Sequence, residues 1–243
     1  RIRGLENSRA ELARELADNH IRPAAAEYYD SGEYPWDVLE AGIQAGVVAQ
    51  DIPEAYGGKG WGLHELLAVN EELFRADAGI GLTMMLASFG TEIIADHGTE
   101  AQKEARLRPV AEGTELTGLA VSEPETGSDL AGMTTSATKD GDEYVLDGEK
   151  YWVGNGVEAD WVTMYAKTGT DEENRYGNYS LFIVPTDTPG YDAEHVSEKM
   201  AMRASKQAHI HLDGAPIPAD NLNGHAGAGF YIPPEAFNHR RIL

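Results

Sequence analysis

The sequence predicts an α+β multidomain protein in which an all-helical N-terminal part precedes a β-rich part. Through about residue 114, apolar side chains recur at the spacing of amphipathic helices. From Glu115 onward the chain breaks into short β-type runs separated by turn residues. Its last stretch, GFYIPPEAFNHRRIL, turns apolar and then basic, like the start of another helix. These shifts set expected boundaries at 1–114, 115–226 and 227–243. A length of 243 residues suits two domains of ordinary size, and 42% hydrophobic residues suit a packed globule.

The helices are expected in the following order. Ser8 with Glu11 forms a capping-box pattern, in which each side chain satisfies a backbone donor at a helix start, and Leu12, Ala13 and Leu16 then share a face. Pro35 suits the first turn of a second helix carrying Val38, Leu39 and Ile43, with Gly42 and Gly46 near its end. DIPEAYGGKGWG (51–62) is a glycine-rich loop, and Leu63 to Phe74 is helical again. AGIGLTMMLASFGT (78–91) reads as a buried helix, shorter than the roughly 20 apolar residues that span a bilayer. Thr99 with Gln102 is another capping box, before a short helix ending near Pro109.

In the β-rich part, TTSATKDGDEYVLDGEKYWV predicts a hairpin turning at Asp140-Gly141, with a second turn at Asp147-Gly148. WVTMYAKT (161–168), YSLFIVP (179–185) and HIHLDG (209–214) are further strands, and the polar tract between 166 and 180 is an exposed loop. No internal repeat is present.

Charge narrows the partners. Nineteen Lys plus Arg against 41 Asp plus Glu leave −22, a surface that repels nucleic acid and anionic lipid. Such self-repulsion is screened by concentrated salt, so the acidity resembles a halophilic, salt-adapted cytoplasmic protein; an ordinary acidic protein is the alternative. Cysteine is absent, which excludes disulfides and thiolate chemistry and suits a cytoplasmic location. The chain opens at Arg1 rather than a methionine, so it reads as lacking its natural N-terminus, and no leader pattern opens it, so secretion is not indicated. No metal site is read from the sequence.

The motifs carry the functional reading. AVSEPETGSDLAG (120–132) is by itself a loop pattern, since Pro, Gly, Ser and Asp all favour turns. About twenty residues later comes GEKYWVGNG (148–156), then KMAMRASKQAHIHLDGAPIPADNLNG (199–224), GAGF (227–230) and FNHRR (237–241). In this order, after a helical region of this length, the series resembles the acyl-CoA dehydrogenase family of flavoproteins over nearly the whole chain.

The resemblance implies a helical N-terminal domain, a β-barrel-like middle domain and the stub of a C-terminal helical bundle. It implies FAD as cofactor and an acyl-CoA as substrate, with an electron-transferring flavoprotein or similar acceptor as partner. The reaction is α,β-desaturation of the thioester within fatty acid metabolism, in a homotetramer or dimer. Leu119, Val121, Ser122, Gly127 and Ser128 match the segment running along the flavin, and Trp152, Val153 and Gly154 the second flavin segment. Ser128, Thr168, Asn238, Arg241 and Met85 match positions near the acyl-CoA. Met84 and Phe89 lie on the same helix, where core packing is the commoner fate of such residues. Lys199, Arg203 and Lys206, with His239, Arg240 and Arg241, are the local cations that could offset phosphate charge. Glu123 and Asp129 read as loop-fixing carboxylates.

Three departures stand out. Thr126 replaces a smaller residue, Asn238 replaces an aspartate, and Gly154 replaces the hydroxyl residue that hydrogen-bonds flavin N5 in the family. The family's base lies in the C-terminal bundle, beyond the last residue here, so no catalytic residue is assigned and the chain reads as a fragment. Two other readings stay open. One is a flavin-dependent monooxygenase or oxidase of the same fold, and the other a remnant that binds acyl-CoA or a partner without turnover.

Overall fold

A computed structural model of the chain describes residues 6–171, 175–196 and 199–230. Its first half holds α1 (Glu6–Leu16), a π-helical turn (Ala17–Ile21), α2 (Arg22–Ser31), α3 (Trp36–Gln44), α4 (Leu63–Ala76), α5 (Ala78–Leu86), α6 (Thr91–His97) and α7 (Glu100–Ala111). Ala13, Leu16, Ala17 and Ile21 face the core with Val38, Leu39, Val69, Leu73, Ile80, Met84 and Leu107. Glu72 joins α1 to α4 by accepting from Arg14 at 2.6 Å and from Arg75 at 2.8 Å.

The local signals fared unevenly. Thr99 and Gln102 cap α7 reciprocally, as their spacing predicts. Gln102 goes further and donates to the carbonyls of Asp220 and Leu222, tying α7 to the β-rich half. Ser8, by contrast, lies inside α1 and cannot be its N-cap. Leu12 is exposed, off the buried face. Pro35 precedes α3 rather than opening it, and Pro109 sits inside α7, which continues to Ala111. α2 was not anticipated: no residue in RPAAAEYYDS is buried, so it has no apolar stripe to read. The 78–91 segment is a core helix followed by the turn at Gly90, but with α6 it forms a longer apolar run, Ala78–His97, than the sequence reading allowed. That 20-residue run has the length and composition of a membrane span, yet 67% of its apolar window is buried inside the protein.

The second half is one eight-stranded sheet. Its strands are β1 (Thr117–Ala120), β2 (Ser136–Asp140), β3 (Glu143–Gly154), β4 (Trp161–Lys167), β5 (Tyr179–Pro185), β6 (Tyr191–His195), β7 (Gln207–Pro218) and β8 (Leu222–Asn223). They run in the order β6-β7-β3-β2-β4-β5-β8, and β1 pairs with β4 in parallel. Tyr144 on β3 meets Phe182 on β5 at 4.9 Å between ring centroids. Those strands are three places apart in the order, so the sheet curls round a shared apolar interior and is barrel-like.

The hairpin at Asp140-Gly141 forms as expected. Asp147-Gly148 is not a turn: β3 continues through it with a register shift against β7. Gly148 takes φ +133 there, and a Cβ would meet the Thr135 Cα at 2.7 Å, so the Asp-Gly pair marks a bulge. A second shift falls between Tyr151 and Val153. Residues 231–243 lie outside the described residues, and with them the expected helix start, Asn238, His239, Arg240 and Arg241.

Candidate functional site

The site begins with a loop that closes on itself. After β1, Glu123 and Thr126 pair backbone to backbone, their amides donating to each other's carbonyls at 2.8 and 3.2 Å. Pro124 and Glu125 form the exposed tip, and Thr126 is accommodated half-buried near Gly132. The Glu123 side chain turns inward and is buried. It accepts from the Thr134 amide at 2.7 Å, the Thr134 hydroxyl at 2.9 Å and the Thr135 amide at 2.9 Å. Lys150, fully buried on β3, completes the set at 3.0 Å, and its ammonium also donates to the Val121 carbonyl at 3.1 Å.

This pair sits where water cannot screen it. Burial alone would raise the Glu123 carboxyl, but the Lys150 charge and the Thr134 and Thr135 donors outweigh it and hold the group at about 2. Burial pushes the Lys150 ammonium down to about 8, with Glu123 resisting the shift. The loop-fixing role read for Glu123 is therefore met, through a lysine the sequence reading did not connect to it. Asp129 differs: its side chain is exposed and makes no hydrogen bond among the described residues.

The same fastening sets the second segment. The Tyr151 amide donates to the Ser122 carbonyl at 2.8 Å, so 121–123 and 150–151 lie side by side. Directly after this bond, at the second bulge, Trp152 takes φ +62, a left-handed conformation costly for a bulky residue. The result is a tryptophan on a barrel strand with 56% of its surface exposed, its ring edge-on to Tyr151 at 4.9 Å. Strain that turns a large apolar ring outward gains nothing in the protein's own core, which makes Trp152 a candidate binding position.

Past Trp152 the strand returns to the core. Val153 and Gly154 are buried, and Asn155, at φ +60, donates to the Leu86 and Thr117 carbonyls and accepts from the Tyr34 hydroxyl at 3.2 Å. Gly154 lies under α5, where a Cβ would come within 2.8 Å of the Leu86 Cδ1. The departure from a hydroxyl residue thus has a packing cause: Leu86 claims the space.

The remaining assigned positions separate. Ser122, Gly127 and Ser128 are at least partly open to solvent. A Cβ on Gly127 would meet nothing within 4 Å, so the protein's own packing does not demand glycine there. Leu119 and Val121 bury their side chains with Phe89, Met133, Tyr165 and Tyr179, which leaves only their backbone for a ligand. Ser128 borders a pocket with Asp129, Leu130, Tyr176 and Phe230. Thr168 borders a different cleft with Lys139, Lys167 and Gly227, its hydroxyl 2.8 Å from that of Ser180. Met85 lines a third, narrow cavity inside the helical half with Asn70, Leu73 and Met84. Phe89 and Ile93, not Met85, join the apolar cluster of Leu119 and Val121. Lys199 donates to the Met202 and Ser205 carbonyls and Arg203 to the Asp30 carbonyl, so both already serve the fold.

Comparison with known proteins bears on this arrangement. Residues 6–114 match the description "Acyl-CoA dehydrogenase, N-terminal domain", and residues 118–215 match "Acyl-CoA dehydrogenase, middle domain". The chain belongs to the acyl-CoA dehydrogenase family. It is 36% identical over 221 residues to a probable acyl-CoA dehydrogenase, YngJ, of Bacillus subtilis (strain 168), covering 90% of this chain and 58% of that protein. Its fold superposes on butyryl-CoA dehydrogenase from Megasphaera elsdenii with a TM-score of 0.92 and 30% identity, covering 99% of this chain and 64% of that one. A glutaryl-CoA dehydrogenase from Mycobacterium smegmatis, solved in complex with FADH2, matches with a TM-score of 0.87 and 28% identity over 99% of this chain and 60% of that one. The acyl-CoA dehydrogenase fold is thereby established for the helical and sheet-rich parts, and the chain spans under two thirds of each of these relatives.

The packing sets three outcomes. Glu123→Gln strands a buried ammonium and should cost about 3–5 kcal/mol in urea denaturation, whereas Lys150→Met should cost less, because Glu123 keeps its Thr134 and Thr135 donors. A carboxyl held near 2 when folded and in the ordinary range when unfolded stabilises at neutral pH, and that share drains as pH falls from about 5 to 2. Glu123→Gln should flatten this acid slope, and an unchanged slope would remove the ion pair from the account. Gly154→Ser should cost about 1–3 kcal/mol by overpacking against Leu86. Combined with Leu86→Ala, it should cost less than the two single changes added together, read from denaturation midpoints.

Proposed function

We propose that this chain forms the flavin-facing half of an FAD-dependent acyl-CoA dehydrogenase that desaturates an acyl-CoA thioester between its α and β carbons. One observation carries the reading. The bends at 121–128 and 150–154 are locked together by buried charge and backbone bonds; the second holds a strained, exposed Trp152, and the first carries an unencumbered Gly127. An apolar wall on one bend and open backbone on the bend fastened to it are what a flat, fused ring system needs. FAD, when bound, supplies the hydride acceptor.

The chain's own residues then divide the work. Trp152 provides the wall. Ser122 and Ser128 offer hydroxyls, Gly127 offers close approach to its backbone, and Val153 and Gly154 shape the floor from beneath. Ser128 and Thr168 are proposed contacts of the acyl-CoA, and an electron-transferring flavoprotein is the proposed acceptor. None of the nearby carboxylates is proposed as the α-proton base: Glu123 is committed to Lys150, Glu149 to His209, and Glu125 sits on the exposed loop tip.

Gly154 favours a second reading, a flavin-dependent oxidase or monooxygenase, because the resemblance expects a hydroxyl residue bonded to flavin N5 at this position and the chain has none. The visible spectrum of the protein in its natural length separates the two. Bleaching under anaerobic titration with one of a panel of acyl-CoAs is the expected result, and Trp152→Ala should weaken FAD retention with little change in folding stability. Oxygen consumption without any acyl-CoA would favour the second reading. A protein that takes up no FAD would defeat both.

The −22 charge supports a further proposal, adaptation to concentrated salt. The thermal midpoint should rise steadily with added KCl well beyond the range where ordinary surface charge is already screened. A midpoint insensitive to KCl would reject it.

A further inference from the structure

β7 carries the sequence His209-Ile210-His211, and alternation along the strand places both imidazoles on one face, away from the buried Ile210. Across the sheet, Glu149 of β3 stands opposite His211 and Tyr151 opposite His209. On the other side, β6 sets Glu194 opposite His209 and Asp192 opposite His211. The two imidazole rings are 4.0 Å apart. The Glu149 Oε2 lies 2.8 Å from the His209 Nε2 and 3.9 Å from the His211 Nδ1. One ligand atom from each of the three lies within 4.8 Å of the others.

We infer that Glu149, His209 and His211 form a surface site for a divalent transition-metal ion. Ligand bonds of about 2.0–2.2 Å separate neighbouring ligand atoms by roughly 3.3 Å in a tetrahedral site, so small side-chain rotations suffice. Two imidazoles and one carboxylate suit Zn²⁺, Co²⁺, Ni²⁺ or Cu²⁺ rather than Mg²⁺ or Ca²⁺. An outer-shell acceptor is within reach. With His209 bound through Nε2, its proton resides on Nδ1, and the exposed Glu194 Oε1, 4.0 Å away, would accept it after a side-chain rotation. His209 is mostly buried against the edge of Tyr151, which fixes its ring plane. The acidic surface raises the local concentration of any cation.

Position gives the site a structural consequence. Glu149 and His209 lie just before the second bulge of β3, the register shift between Tyr151 and Val153 at which Trp152 turns outward. A bound ion would cross-link β3 to β7 there. The inference stands whether or not flavin binds.

The test uses the EDTA-treated, dialysed protein, titrated with ZnCl2 by calorimetry in concentrated KCl, where loose carboxylate binding is screened. A single equivalent should bind. His209→Ala and His211→Ala should each weaken binding at least about tenfold, Glu149→Gln by a smaller factor, and His64→Ala not at all. Substoichiometric Co²⁺ in a proton NMR titration, which needs no variant, should broaden the His209 and His211 ring signals before those of any other histidine. Zinc uptake that survives loss of either histidine, uniform broadening of all histidines, or no uptake would each overturn the site and leave a plain cross-strand His–Glu pair.

Discussion

A carboxylate and an ammonium that no water reaches hold two separate pieces of chain together. Glu123 comes from the loop after β1 and Lys150 from the middle of β3, 27 residues apart. Taking both charges out of water costs several kcal/mol per ion, and their attraction repays this only if every remaining lone pair and proton is satisfied. Here the Thr134 and Thr135 donors serve the carboxylate, and the Val121 carbonyl with the Met133 sulfur serves the ammonium. An apolar pair of equal volume could stabilise the barrel as well, but it would not dictate direction. The ion pair has one geometry, and that geometry fixes where residue 121 ends, where residue 151 begins, and hence which way Trp152 must go.

That dependence explains why a tryptophan can be held at φ +62 on an otherwise regular strand. The Tyr151 amide is bonded to Ser122 on one side, and the Asn155 side chain to the Leu86 and Thr117 carbonyls on the other. Trp152 lies between two clamped points with a register shift between them, and the strain of order 1–3 kcal/mol is distributed into the clamps. Asn155 tolerates its own positive φ better than most residues would, and two of its three side-chain contacts, to Tyr34 and to the Leu86 carbonyl, reach into the helical half.

Much of this was legible in the sequence, and the rest was hidden for identifiable reasons. The buried strands β4 and β5 read plainly as apolar runs, and the Thr99–Gln102 cap as a reciprocal pair. α2 was invisible because it buries none of its residues, and Ser8 misled because its spacing to Glu11 recurs inside helices as readily as at their starts. Asp147-Gly148 has turn chemistry, but its glycine serves a close approach to Thr135 rather than a reversal. In the site, the motif positions were readable while their connections were not. Lys150 was seen as one letter of a motif; only the fold brings its charge to Glu123. Gly154 looked like a lost hydroxyl until Leu86, 68 positions earlier, proved to occupy the place. The His209-x-His211 spacing is a weak signal by itself, because Glu149, which the fold brings to it, comes from a different strand.

The helical and β halves therefore cannot be weighed separately. Trp161 and Ile183 of the sheet lie in the same apolar cluster as the helical core, α7 reaches Asp220 and Leu222 through Gln102, and α5 ends against Gly154. α5 is the element with most at stake. Its Thr83 hydroxyl donates to the Ala204 carbonyl, its Leu86 covers the strand behind Trp152, and Phe89 just after it packs on the β1 strand that feeds the Glu123 loop. A shift of this one helix would be felt at both bends at once, because close-packed interiors transmit displacement rather than absorb it. The geometry of the exposed tryptophan is thus set from two directions: by buried charge within the barrel, and by an apolar helix pressed against its back.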